Sequence, residues 1–310
     1  MTNMKKLGLT ALAGSLVATS AYAGALDVTG TAKVTYASLD ESEVTGNPYS
    51  MSQGMGFTGS GDIDDIGTIS YTYSATNMAF SSSNLKLDMG DNGVVSFANG
   101  ASLTGMQAYY DKMPTAGEQV WDDLDGQANG VATMSTTNTL GYSNTFMGIG
   151  VSAAYNKDNG TATEGSSKSI ALSSSDMIDG GEIGWAHADV SGSTTENGTE
   201  SDTVYVTYTA GSVTLGGQLT QIDKSAANSD VDRTHLAVSV AVNENLSVSL
   251  GQSVVEFEST GTDDQENVGI AFSYTMGSMT IAGFQNSEDN SSGTQGSDDS
   301  VTELSVAFAF

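Results

Sequence analysis

In Asp27-Val28-Thr29-Gly30-Thr31-Ala32-Lys33-Val34-Thr35-Tyr36 every second residue is apolar or very small. Successive side chains of an extended strand point to opposite faces, so Val28, Gly30, Ala32, Val34 and Tyr36 share one side and Asp27, Thr29, Thr31, Lys33 and Thr35 the other. The same split recurs in Leu236, Val238, Val240 and Val242 against Arg233, His235, Ala237 and Ser239. It recurs again in Val268, Ile270, Phe272, Tyr274 and Met276 against Gly269, Ala271, Ser273 and Thr275. Alternation alone suits a soluble sandwich as well as a barrel, because either places one greasy face per sheet.

The connections decide between them. Short links fall at 62–67, 91–93, 145–148, 177–181, 211–212, 243–245 and 277–278. Between them lie longer polar stretches at 39–50, 75–83, 100–137, 157–167, 192–201, 224–232, 259–267 and 289–299. Strict alternation of short and long implies sixteen strands and an all-β, antiparallel transmembrane β-barrel, with tight periplasmic turns at one end and long external loops at the other. Sixteen strands enclose a lumen wide enough for water, whereas eight-stranded barrels fill with their own side chains.

Composition agrees with this reading. Only 38 % of the 310 residues are hydrophobic, with 37 Gly and 2 Pro, which under-supplies a conventional core of that size. A barrel in lipid needs no second sheet against its apolar face, and closure satisfies its backbone. The formal charge of −28, from 37 acidic and 9 basic residues, argues against nucleic acid as a partner. Without cysteine there is no disulfide framework, thiolate metal site or cysteine nucleophile. Past the first residues no apolar run approaches the 18 or so residues of a spanning helix.

Lys5 and Lys6 precede the apolar run Leu7 to Val17, and Ala21-Tyr22-Ala23 precedes Gly24. This is the pattern of a secretory signal peptide, residues 1–23, cleaved to leave a barrel domain of residues 24–310. The mature chain would keep seven basic residues and a charge of −30. At the other end Leu304, Val306, Phe308 and Phe310 alternate up to a terminal aromatic. This resembles the assembly signal of bacterial outer-membrane proteins, so the outer-membrane assembly machinery is an expected partner of Phe308 and Phe310.

Over its mature length the chain is similar to the Gram-negative general porins, the trimeric sixteen-stranded family. Besides the strand count, the resemblance rests on Asn138-Thr139-Leu140-Gly141-Tyr142-Ser143-Asn144-Thr145-Phe146-Met147-Gly148-Ile149-Gly150-Val151-Ser152-Ala153-Ala154-Tyr155. It is similar to the family's N-x-I-x-Y-x-S-P-x-F-x-G-F-x-V hairpin, although the proline of that turn is absent. The resemblance implies an outer-membrane homotrimer in contact with lipid, a water-filled channel for passive diffusion of small hydrophilic solutes and ions, and a third loop, here 100–137, folded inward as the constriction.

That loop carries Asp111, Glu118, Asp122, Asp123 and Asp125, the candidate acidic face of the constriction, and Trp121, a candidate anchor to the wall. No cofactor is expected, apart from a Ca²⁺ ion that the hard oxygens of Asp122, Asp123 and Asp125 could hold. Lys33, Lys86 and Arg233 fall on the polar phase of their strands. Aiming any of them at lipid would cost about 2–4 kcal/mol near the midplane, so all three are expected on the pore wall. The family's arginine ladder is reduced here to one Arg and two Lys, which points to cation preference. A substrate-selective barrel, or a display or adhesion barrel with acidic surface loops, are the alternatives. His187 lies two residues from Asp189 and His235 two from Arg233, but no nucleophile motif accompanies either, so an enzyme is not expected.

Overall fold

The computed structural model describes residues 26–40, 46–100, 104–110, 112–127, 130–131, 134, 136–157, 165–191 and 198–310. The signal segment and Asp111 lie outside these. Strand β1 covers Asp27–Leu39, β2 Tyr49–Ile63, β3 Gly67–Thr76, β4 Ala79–Asp88 and β5 Val94–Asn99. After the longest connection come β6 Thr139–Phe146, β7 Ile149–Asn156, β8 Ser167–Ser174, β9 Gly181–Val190, β10 Thr199–Ala210 and β11 Val213–Lys224. The last five are β12 Val231–Ala241, β13 Leu246–Phe257, β14 Gln265–Met276, β15 Met279–Asp289 and β16 Asp299–Ala309. Every strand pairs antiparallel with its sequence neighbours and β1 pairs with β16, giving a closed sixteen-stranded barrel.

The alternation read from sequence sets the two faces. Val34, Leu236, Leu250, Ile270 and Leu304 are exposed on the outside, where lipid replaces a second sheet, while Thr35, His235, Ser249, Ala271 and Ser305 on the opposite phase are buried. The outer apolar band ends on β9–β13 in one straight row of cross-strand partners: His187, Asp202, Gln221, Asp232 and Glu256. His187 Nδ1 is 3.1 Å from Asp202 Oδ2, and in the next row Lys168 is 3.1 Å from Asp189. Charges side by side on the outer face mark where hydrocarbon gives way to the polar zone.

One connection differs from expectation. The stretch 75–83 is not a long loop: β3 and β4 run through it and are joined by Asn77 and Met78 alone, at φ +51° and +65°. Both residues adopt the left-handed conformation that a two-residue hairpin of type I′ requires. Asn77 N–H donates to Gln53 O and Asn77 Oδ1 accepts from Gln53 N–H, so the hairpin tip leans on β2. Ser81, Ser82 and Ser83 have loop composition but lie on a strand, with Ser82 on the lumen phase of Asn84 and Lys86.

The seam is closed by the last residue. Gly30 N–H donates to Phe310 O at 2.7 Å and Phe310 N–H to Gly30 O at 2.9 Å, extending the ladder that runs from Thr31 opposite Ala309 to Leu39 opposite Val301. The Phe310 ring lies over Gly30, where a Cβ would run into it, so glycine is what lets the terminal ring seat on the seam. Phe310→Ser is therefore expected to lower the fraction of folded barrel in the outer membrane while leaving the conductance of inserted pores unchanged. Gly30→Val, which unseats the same ring, should act in the same direction. Heat-modifiability gels of membrane fractions check both, and unchanged folded fractions would contradict the seam argument.

Candidate pore constriction

The lumen face is built mostly of small residues, which leaves room for connection 100–138. Its described part lies against the inner wall from β7 round to β16. At Gly105 (φ +63°) the backbone comes so close to Ser169 that a side chain would collide with it. Gly105 N–H donates to Ser152 Oγ at 2.7 Å and Met106 N–H to Ser169 Oγ at 3.2 Å. The Tyr109 ring meets Tyr205 edge-on at 4.7 Å, and Gln218 Nε2 donates to Tyr109 O at 3.0 Å. Lys112 Nζ is 2.8 Å from Glu182 Oε1, which also accepts from the Tyr205 hydroxyl. The same ammonium stands 5.1 Å from the centre of the Tyr205 ring, a cation–π contact.

Further on, Pro114 packs over Gly216 and Val120 over Gly251 and Gly269, where wall glycines leave the space a Cβ would take. Trp121 is buried with its ring edge-on to His235 at 4.7 Å. Neither ring nitrogen of His235 has a hydrogen-bond partner among the described residues, so packing holds this pair. The rest of the attachment is made by wall amides. Asn286 Nδ2 donates to Gln119 O at 2.9 Å and to Asp122 O at 3.1 Å. Gln265 grips both sides of the Gln127 backbone, donating to its carbonyl and accepting from its N–H, each at 2.8 Å. Behind it Asn267 links Gln265, Ser253 and Glu288, and Asp299 accepts from Asp125 N–H at 2.8 Å. Leaving the buried amides of Gln265, Asn267 or Asn286 unpaired would cost about 1–3 kcal/mol each.

The largest buried apolar cluster accordingly sits inside the barrel. Met106, Tyr109, Met113, Val131 and Met134 of the connection close over Ala171, Ala186, Ala188, Tyr205, Ile222, Val231 and Val255 of the wall. Among the described residues the connection is bonded to the wall from β7 to β16, which leaves the lumen more open towards β1–β5.

The acids identified from sequence do different things. Glu118 and Asp123 are exposed, and both lie within electrostatic reach of Lys33 on β1, whose Nζ is 2.8 Å from Glu303 Oε1. Asp122 Oδ2 accepts from Gln119 N–H at 2.6 Å and so closes a local turn. Asp125 is exposed. Among the described residues no group of three or more His, Cys, Asp or Glu side chains is gathered as a metal ion requires. Lys86 is exposed on β4, in register with Ser70 and Ser96. Arg233 lies beneath the connection, its Nη1 donating to Val131 O at 3.1 Å. His187, on the outer face, and His235, under Trp121, sit on opposite sides of the wall and form no joint site.

Lys112, Gln218, Gln265, Asn267, Asn286 and Glu288 were not singled out by sequence. The signal that could have found most of them is a large polar residue at a lumen-phase position where neighbouring strands carry Gly, Ala, Ser or Thr.

The comparisons with known proteins bear on the same architecture. The model of the Gram-negative porin family matches residues 8–310. Among curated proteins none matches. An anion-selective porin from Comamonas acidovorans superposes with a TM-score of 0.67 at 14 % identity, covering 92 % of this chain and 99 % of that one. A porin refined at 1.8 Å gives 0.68 at 16 % identity, covering 92 % and 100 %. A triple mutant of the Rhodopseudomonas blastica porin gives 0.65 at 14 %, also covering 92 % and 100 %. At such identities the superpositions speak for the fold alone, while the family match spans nearly the whole sequence. The chain belongs to the Gram-negative porin family: it is a channel of the outer membrane and not an enzyme.

Proposed function

We propose that this porin is a water-filled, cation-preferring passage for small hydrophilic solutes and ions, narrowest where Glu118 and Asp123 face Lys33. The observation that carries this reading is the way opposite charges are spent. Glu118 and Asp123 stand exposed, whereas Lys33 is tied to Glu303, Lys112 to Glu182 and Arg233 to a loop carbonyl. That leaves Lys86 as the one cation from the sequence-derived wall set that faces the open lumen without such a tie. A low-dielectric wall focuses the remaining negative field along the pore. One superposed porin is described as anion-selective, and shared fold does not carry selectivity across.

Export by cleavage of residues 1–23, insertion by the assembly machinery through the terminal aromatic, and association as a homotrimer belong to the same proposal. The outer face of β1–β4 supports the last. It carries the ring pairs Tyr36–Tyr49 at 5.5 Å, Phe57–Tyr73 at 6.3 Å and Tyr73–Phe80 at 5.8 Å, with exposed Met51 and Met55 beside them. Gly30 offers no gap to a neighbouring barrel, since Phe310 covers it. Native mass spectrometry in mild detergent is expected to show three chains, each beginning at Gly24; single chains, or a retained Met1, would contradict these parts.

Selectivity is tested by reversal potentials across a KCl gradient. Glu118→Gln with Asp123→Asn should reduce cation preference at both 0.1 M and 1 M salt. Asp263→Asn, Asp264→Asn and Glu266→Gln should matter only at low salt, because the Debye length falls from about 10 Å to about 3 Å. An anion-selective parent, or equal effects of the two sets at 1 M, would sink the proposal.

The anchoring is tested separately. Trp121→Ala removes a buried aromatic, a loss of about 3–5 kcal/mol in a packed core. The barrel should still insert, with noisier open-channel current and faster permeation of larger sugars in liposome swelling. Unchanged noise and size cutoff would show that the connection does not set the aperture.

A further inference from the structure

Beside the connection, at the turn end of the lumen, lies an open cavity of about 620 Å³ that the constriction does not use. It falls within the size range of small-molecule sites. One side is the wall of β4–β8, which contributes Asp88 and the hydroxyls of Ser143, Ser152 and Ser173; the other is the connection, which contributes Lys112.

The two charged groups are fixed by different means. Lys112 is held by Glu182 at 2.8 Å and by the Tyr109 and Tyr205 rings, yet its side chain stays 30 % exposed and an ammonium has three donors. Asp88 is exposed, and its Oδ1 accepts from Gly90 N–H at 2.9 Å, which fixes the carboxylate and leaves Oδ2 for another donor. A lone cation in this cavity would meet Lys112, and a lone anion would meet Asp88 and, behind Lys112, Glu182. Sugar recognition favours an open aromatic face, and Tyr109 is buried beneath Lys112. Hydroxyls lining one cavity together with a fixed anion and a fixed cation suit a molecule that carries both charges itself.

We propose that this cavity is a binding station for small zwitterions of the α-amino acid type, with the carboxylate received by Lys112 and the ammonium by Asp88. The inference rests on the channel reading above and names a solute class for it.

The test is single-channel recording of the full-length porin in KCl with L-serine on both sides. Glycerol serves as the uncharged control, 2-aminoethanol as the cation and lactate as the anion. Serine should interrupt the current at millimolar concentration, and each control should need about tenfold more for the same effect. Asp88→Asn keeps the oxygen that accepts from Gly90 and removes the charge. It should weaken the serine effect about tenfold, as expected for one charge-assisted hydrogen bond, with the KCl conductance retained. Lys112→Gln, which also frees Glu182, should weaken the serine effect in the same direction. Glycerol acting as strongly as serine, or a serine effect unchanged by Asp88→Asn, would overturn the station. A protein that gives no current steps in KCl would instead overturn the channel reading, so the two failures are distinguishable.

Discussion

In hydrocarbon a backbone N–H or C=O without a partner costs several kcal/mol, and water is not there to help. That single constraint organises this molecule. It forces the sheet to close, which requires β1 to pair with β16 and makes the seam between Gly30 and Phe310 the last joint of the ring. Closure in turn sorts the side chains into two phases, because lipid tolerates one kind and the lumen the other. Apolar residues that a soluble protein would hide are spent on the outside, and the interior is left for small polar groups and for a segment of the chain itself.

The consequence is an inverted core. Packing that a globular domain would place between its layers is here made by connection 100–138 pressed onto the inner wall, with Met106, Tyr109 and Trp121 among its buried side chains. Specific attachment comes from amides that match free backbone groups of an irregular segment, which has no ladder of its own to satisfy them. Gln265 on Gln127 and Asn286 on Gln119 act as substitutes for a neighbouring strand. The exposed acids are held at fixed positions because the residues between them are bonded to the wall.

The barrel was legible because its signal is local and repeated: a period of two along each strand and a turn after each pair. Residues 27–36 and 266–276 carry it within ten or so positions. The exception, 75–83, failed because serine and threonine mean loop in a soluble protein and wall in an aqueous barrel. The constriction was only half legible. Length and acidity marked the connection, but nothing in the sequence separates Asp122, which closes a turn, from Asp123, which stands free. The wall residues that bind the connection lie 138 and 167 positions away from their partners, so no window of sequence shows them together. Gly30 read as one more small outward residue, since its role depends on a ring at the far end of the chain.

The placement of the connection also makes the barrel mechanically uneven. Among the described residues the hydrogen bonds that fasten a second layer to the wall run from β7 to β16, and the arc from β1 to β5 is the thinner one. A ring with one stiffened arc and one thin arc changes shape at the thin arc when it is squeezed. Here the thin arc is also the boundary of the open lumen and carries Lys33 and Lys86. Lateral pressure on the outside of β1–β5, whether from acyl chains or from another barrel, therefore acts directly on the bore.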